Sequence, residues 1–193
     1  MARCGWVTAG DADYEAYHDH EWGVPLTDSR TLWELSVLEG FQAGLAWITI
    51  LRKRAAFRAA FAGFDPVQVA AFGEADIQRL LGDAGIVRSR AKIEATIRSA
   101  RVFLELEAAG PGFAGLVWDV VDGRPIQNCW TSFRDAPVET EQSRMLSALL
   151  RQRGIRFFGP VIAYAFMQAA GLVNDHETGC PRHEPVRALG EAM

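Results

Sequence analysis

A chain of 193 residues, 49% of them hydrophobic, can bury a core without disulfide staples. No run approaches the roughly 20 uncharged apolar residues that cross a membrane, and Met1 to Trp6 lacks the basic-then-apolar pattern of a signal peptide. A soluble, cytoplasmic protein is therefore expected, although its net charge of −4 argues against a uniformly basic nucleic-acid binder.

The length suits one domain, or two small lobes sharing one core. The hydrophobic pattern is helical almost throughout, and the two chain ends read as loops. Asp28 is a suitable N-cap for a helix running toward Leu38. Trp47, Ile50, Leu51, Phe57 and Phe61 recur at helical spacing and predict an amphipathic helix over Ala46 to Ala62. Asp65-Pro66 reads as an N-cap and first helical residue. A short helix follows over Glu74 to Leu81. A long one runs from Arg88 to Ala108 and stops at Gly110-Pro111. The segment Gly115 to Asp135 is the least regular, with a turn at Asp122-Gly123. Thr140 to Arg153 forms a helix closed by Gly154, and Pro160 starts the last one, which ends at Gly171. No alternating pattern is long enough to build a sheet.

Charge is unevenly spread. Gly40 to Phe64 carries Arg52, Lys53, Arg54 and Arg58 and no acid, and Gln142 to Asn174 carries Arg144, Arg151, Arg153 and Arg156 and no acid. Either stretch is a surface for phosphate or an ordinary solvated helix face.

Three cysteines, Cys4, Cys129 and Cys180, are the wrong number for a disulfide framework and favour a metal role. Cys4 and His18 lie near one end, His176 and Cys180 near the other. Together they are a Cys2His2 set, the ligand chemistry of structural zinc. The four-residue offset puts His176 and Cys180 on one face of a helical turn. One ion held by both pairs clips the chain ends together. His20 competes with His18 and His183 with His176, while Cys129 reads as packing.

The segment from Gly82 to Lys92 joins two helices. Its glycines allow a tight backbone, the second helix offers free N–H groups, and Arg88, Arg90 and Lys92 surround that end. It is a phosphate seat or a plain connector. Trp6, Tyr17 and Trp22 crowd the N-terminal segment, and Glu39 sits in an otherwise uncharged stretch from Val37 to Leu51. Aromatic faces with one acid suit a flat cationic base. The same residues also suit a core with an exposed glutamate.

These segments together resemble the 3-methyladenine DNA glycosylase I family of bacteria, a branch of the helix–hairpin–helix glycosylases. The resemblance rests on Arg3-Cys4-Gly5-Trp6, Tyr17-His18-Asp19, Glu21-Trp22-Gly23-Val24-Pro25, Leu38-Glu39-Gly40 with Gln42-Ala43-Gly44-Leu45, Trp47-Ile48-Thr49, Asp83-Ala84-Gly85-Ile86 and the run Phe166 to His176. It covers nearly the whole chain, more weakly from Gly112 to Ser143 and beyond Cys180. It implies an all-α, helix–hairpin–helix fold over residues 1–193, with the base pocket between two helical lobes. It implies one structural zinc on Cys4, His18, His176 and Cys180. Glu39 becomes the catalytic, base-recognising acid, with Trp6, Tyr17, Trp22 and Trp47 around the base. Gly85, Arg88, Arg90 and Lys92 become the DNA contacts. The implied substrate is double-stranded DNA carrying 3-methyladenine, cut by a monomer. The helix after the hairpin offers no aspartate and no lysine beyond Lys92, so no lyase chemistry is expected.

Overall fold

The structure, a computed structural model, describes residues 2–193. Ten α-helices make up most of it. In chain order they are α1 (Ala12–His20), α2 (Ser29–Gln42), α3 (Trp47–Ala60), α4 (Pro66–Ala70), α5 (Glu74–Gly82), α6 (Arg90–Ala109), α7 (Gly112–Asp119), α8 (Glu141–Gln152), α9 (Pro160–Ala169) and α10 (His183–Glu191). Two two-residue strands, β1 (Ile126–Gln127) and β2 (Val173–Asn174), pair in parallel.

Local chemistry sets the boundaries. Asp28 caps α2 by accepting from the Thr31 N–H at 2.7 Å, and Asp65 caps α4 ahead of Pro66. α2 runs past Leu38 to Gln42, so Glu39 lies on its last turns. α6 begins at Arg90, which leaves Arg88 in the preceding loop. α9 stops at Gly171, where φ is +72°. The Leu172 and Gly171 N–H groups bond back to Met167 and Gln168 and close the helix end. A Cβ at Gly171 would stand 2.5 Å from the backbone of Val24 and Pro25. The glycine is what lets the N-terminal segment lie against α9.

Three expectations fail. Both chain ends carry helices, α1 and α10, rather than loops. α1 escapes the periodicity argument because the side chains it buries are Tyr17 and His18, not aliphatic ones. The irregular stretch begins with a helix, since α7 covers Gly112–Asp119. His176 and Cys180 sit on a turn, held by Cys180 N–H to Glu177 carbonyl at 2.8 Å, and not on a helix.

The main core gathers on α2, which packs against α3, α6, α7 and α9. Trp33, Phe41, Phe57, Phe61, Phe113 and Phe166 fill it. A smaller buried cluster joins Cys4, Tyr17, Trp22, Ala169 and Cys180, with Trp6 and Trp47 packed against it. Both chain ends meet there. No helix among the described residues is long and apolar enough to cross a membrane.

Candidate active site and metal centre

Cys4, His18, His176 and Cys180 are all buried, and their ligand atoms lie within 4.8 Å of one another. Cys4 Sγ is 3.5 Å from His176 Nδ1. Cys180 Sγ is 3.4 Å from His18 Nε2 and 3.7 Å from His176 Nδ1. A tetrahedral ion with ordinary zinc–sulfur and zinc–nitrogen bonds sets those edges at about 3.6 Å. The group could hold a metal ion. The outer contacts agree: a metal-bound imidazole gives its other N–H to a carboxylate or carbonyl. His18 Nδ1 meets Asp19 at 2.8 Å, and His176 Nε2 meets the Trp22 carbonyl at 3.1 Å. The sulfurs accept the backbone N–H groups of Glu177 and Arg182, each at 3.4 Å. Arg3 grips Asp19 with bonds of 2.7–3.0 Å and holds its carboxyl well below the usual carboxylate range. Cys180 is pulled down, first by its hydrogen bond with Cys4 and then by both imidazoles, while the same bond pushes Cys4 up. His20 is outside the group, and His183 Nε2 faces the Asn128 carbonyl at 3.0 Å. Cys129 is exposed rather than packed.

Trp22 separates this group from a cavity. Its ring centroid is 4.7 Å from that of His176 and 5.0 Å from that of Trp6. The cavity measures about 240 Å³ and is lined by Trp6, Tyr17, Trp22, Glu39 and Trp47, so all five predicted pocket residues come together. Glu39 is 2% exposed. Burial pushes its carboxyl up to about 8, and Oε2 has no partner among the described residues. Tyr17 leans on Trp47 at 5.6 Å between centroids.

Among the lining residues that sequence reasoning missed, four carry polar side chains. Tyr14 lies beside Trp6, and its hydroxyl accepts the Ile48 N–H at 3.2 Å, at the start of a helix whose own N-cap, Ala46, has no side-chain oxygen. Gln42 follows Glu39 by one helical turn. Gln168 and Asp175 line the opposite wall. Asp175 is buried and accepts from Asn128, Trp130, Tyr164 and Gln168 at 2.6–2.9 Å. The available signal was its place between Asn174 and the candidate ligand His176, in the matched run.

The expected DNA contacts are scattered in their engagements. Gly85 sits in the α5–α6 loop, where a Cβ would come 2.9 Å from the Ala56 Cβ and from Asp83. Arg88 is exposed and free of ion pairs among the described residues. Arg90 is paired with Glu74 and Glu94. Lys92 turns inward, its Nζ donating to the Phe41 and Ala43 carbonyls at 3.0 and 3.1 Å. The basic run on α3 is likewise occupied. Arg52 pairs with Asp11 and Asp13, Arg54 with Glu21, and Arg58 with Glu34, while Lys53 holds the Ala84 and Gly85 carbonyls.

A helical frame whose two ends meet beside an aromatic cavity, with Glu39 and Asp175 buried in its walls, suits an enzyme that encloses a flat polar ring. The sequence model of the family described as methyladenine glycosylase matches residues 6–183. DNA-3-methyladenine glycosylase 1 of Escherichia coli (strain K12) is 52% identical over 180 residues, covering 93% of this chain and 96% of that protein. A crystal structure of 3-methyladenine DNA glycosylase I superposes with a TM-score of 0.92 at 52% identity, covering 94% of this chain and 100% of that one. A tyrosine-to-phenylalanine variant of a 3-methyladenine DNA glycosylase I, in complex with 3-methyladenine, gives 0.90 at 38% identity and covers 95% and 98%. The chain belongs to the methyladenine glycosylase family and is a glycosylase, a hydrolase of N-glycosyl bonds.

Proposed function

We propose that the protein excises 3-methyladenine from double-stranded DNA, as a monofunctional glycosylase without lyase activity. One observation carries this: the Glu39 carboxyl is buried without a protein partner among the rings of Trp6, Tyr17, Trp22 and Trp47. A charge in apolar surroundings is costly unless a counter-charge joins it. A flat cation meets that need, with ring faces to attract it and carboxylate oxygens to accept its hydrogen bonds. Methylation at N3 gives adenine that charge and weakens its glycosidic bond. A relative 38% identical is known in complex with 3-methyladenine.

The nucleotide must leave the stack to reach such a cavity. Glu39 is then both the base reader and the catalytic residue: its carboxylate favours the methylated cation, and water completes the cut at C1′ of the sugar. The leaving base already carries its charge, so no strong general acid is needed. Neutral adenine is rejected for lacking that charge and for its stronger bond. Schiff-base lyase chemistry needs an amine in the pocket. The lysines of the chain, Lys53 and Lys92, both donate to backbone carbonyls, and neither lines the cavity.

We read the Cys2His2 group as one structural zinc, because four protein ligands leave no open position for water. We read α5, its loop and α6 as the helix–hairpin–helix element that seats a DNA phosphate. Ser89 gives α6 no side-chain cap, so its first N–H groups are available to an anion. Gly85, Arg88 and Arg90 surround that seat, and Lys92 supports it from behind. The protein then works as a monomer beside chromosomal DNA, in the cytoplasm. The test is incubation with methylated double-stranded DNA, with chromatography of the released bases and gel analysis of the strand. Release of 3-methyladenine from an uncut strand is expected. DNA binding without base release, or strand cleavage, would refute the reading.

A further inference from the structure

We propose that Gln42 is a second base-reading residue, which together with Glu39 selects a 6-amino over a 6-oxo purine. The inference rests on the glycosylase reading above. Five side-chain polar atoms among the described residues are buried without a partner, and four of them belong to the same cavity: Glu39 Oε2, Gln42 Oε1, Trp6 Nε1 and Trp47 Nε1. Buried polar groups normally find partners. Unmet atoms gathered in one cavity describe the hydrogen-bonding edge of the molecule that fills it.

Glu39 and Gln42 are three residues apart on α2 and therefore share a helix face. The backbone around Gln42 is fixed from outside. Lys92 Nζ holds the carbonyls of Phe41 and Ala43, one on each side of it. A helix end so held does not fray away from the cavity. The two acceptors thus lie on one face of α2 and open on the same cavity.

The exocyclic amine of adenine carries two N–H donors, whereas guanine presents an oxygen acceptor at that position. Two acceptors on one face give each amine proton a partner. A 6-oxo purine in the same pose would turn its own oxygen toward these two acceptors. Methylation at N3 makes either base cationic, so the charge of Glu39 alone does not separate them. The neutral acceptor of Gln42 adds the distinction.

The experiment uses methylated DNA containing both lesions and measures the rates of release of 3-methyladenine and 3-methylguanine. The wild type is compared with Gln42→Met, which keeps the side-chain length and removes the acceptor. Gln42→Glu, which keeps an acceptor, is the second variant. In Gln42→Met, 3-methyladenine release should fall roughly 2- to 12-fold, the value of one neutral hydrogen bond. Release of 3-methylguanine should not fall, so the ratio of the two rates drops. Gln42→Glu should retain the preference. An unchanged ratio in Gln42→Met, with melting temperature and metal content intact, would overturn the inference. So would a loss confined to 3-methylguanine, which would put the amide nitrogen toward the base. Absence of 3-methyladenine release by the wild type would instead remove the glycosylase reading, and this inference with it.

Discussion

Replacing Glu39 with glutamine should make the protein more stable and less able to bind its base. The ordinary carboxyl value is 4.5, and burial raises it to about 8 in the folded protein. The unfolded chain loses its proton near 4.5 while the folded chain keeps it, so between those values the folded state binds more protons. Stability must then fall as pH rises across this window. Each unit is worth about 1.36 kcal/mol. The penalty is therefore absent below pH 4.5, at most about 3.4 kcal/mol at pH 7, and about 4.8 kcal/mol above pH 8. The Glu39→Gln protein does not carry this term. At roughly 2–4 °C per kcal/mol for a chain of this size, its melting temperature at pH 7 should exceed the wild type's by up to about 7–14 °C. Solvent in the cavity reduces that figure. Function moves the other way. Loss of a charged hydrogen bond in a dry site costs on the order of 1.5–3 kcal/mol, so affinity for free 3-methyladenine should drop roughly 10- to 150-fold. The assay is thermal melting of both proteins from pH 4.5 to 8.5, with titration of the base into each. A melting difference that does not grow between pH 5 and 8 would refute the burial argument. Equal base affinity would refute the recognition role.

Purified protein should contain about one zinc per chain, and Cys180→Ala should lower the melting temperature by loosening both chain ends; well-folded protein without zinc on metal analysis would sink the metal reading. Gly85→Val should weaken DNA binding in a fluorescence titration while leaving the affinity for free 3-methyladenine alone, because the new side chain pushes the hairpin loop off Ala56; unchanged DNA affinity would make the loop a mere connector. Asp175→Asn keeps the shape but turns one acceptor into a donor facing donors, so it should destabilise the fold by about 1–3 kcal/mol, read by urea unfolding; a neutral result would mean that the four hydrogen bonds are not holding that wall.

What could be read from sequence was what local rules govern. Asp28 and Asp65 cap the helices they precede, and Gly154 and Gly171 close α8 and α9, because capping depends on a few adjacent atoms. The four Cys and His side chains and the five cavity-lining residues were singled out because the matched segments name them, not because their spacing demands it. What stayed hidden is tertiary. α1 buries Tyr17 and His18 against the buried cysteines and so lacks an apolar stripe. Lys92 looks like a surface base in a basic loop, yet its ammonium is committed to carbonyls 49 and 51 residues earlier. The base-rich stretch of α3 looks like a phosphate surface, but its arginines are matched by acids from α1 and its N-cap, from α2 and from the segment between them. The second stretch fares differently. Arg144 pairs with Glu139, whereas Arg151, Arg153 and Arg156 have no ion pair among the described residues. Charge counted along a chain does not tell which of two such stretches is spent.

The same packing explains why the Cys2His2 group stands beside the cavity. Trp22 is shared by both: its carbonyl accepts from His176, and its ring lies against the rings of His176, His18 and Trp6. The two histidines come from opposite chain ends, and so do the two cysteines. An ion joining them would fix Cys4 and therefore Trp6 two residues on, His18 and therefore Tyr17 beside it, and His176 and therefore Asp175. Three walls of the cavity are thus each one or two residues from a ligand. A pocket that must close on a flat ring tolerates little play in its walls. Helix packing alone supplies that rigidity for Glu39 and Gln42, which sit on α2 in the core. It does not supply it for the chain ends, where an ion on the Cys2His2 group would take over the task.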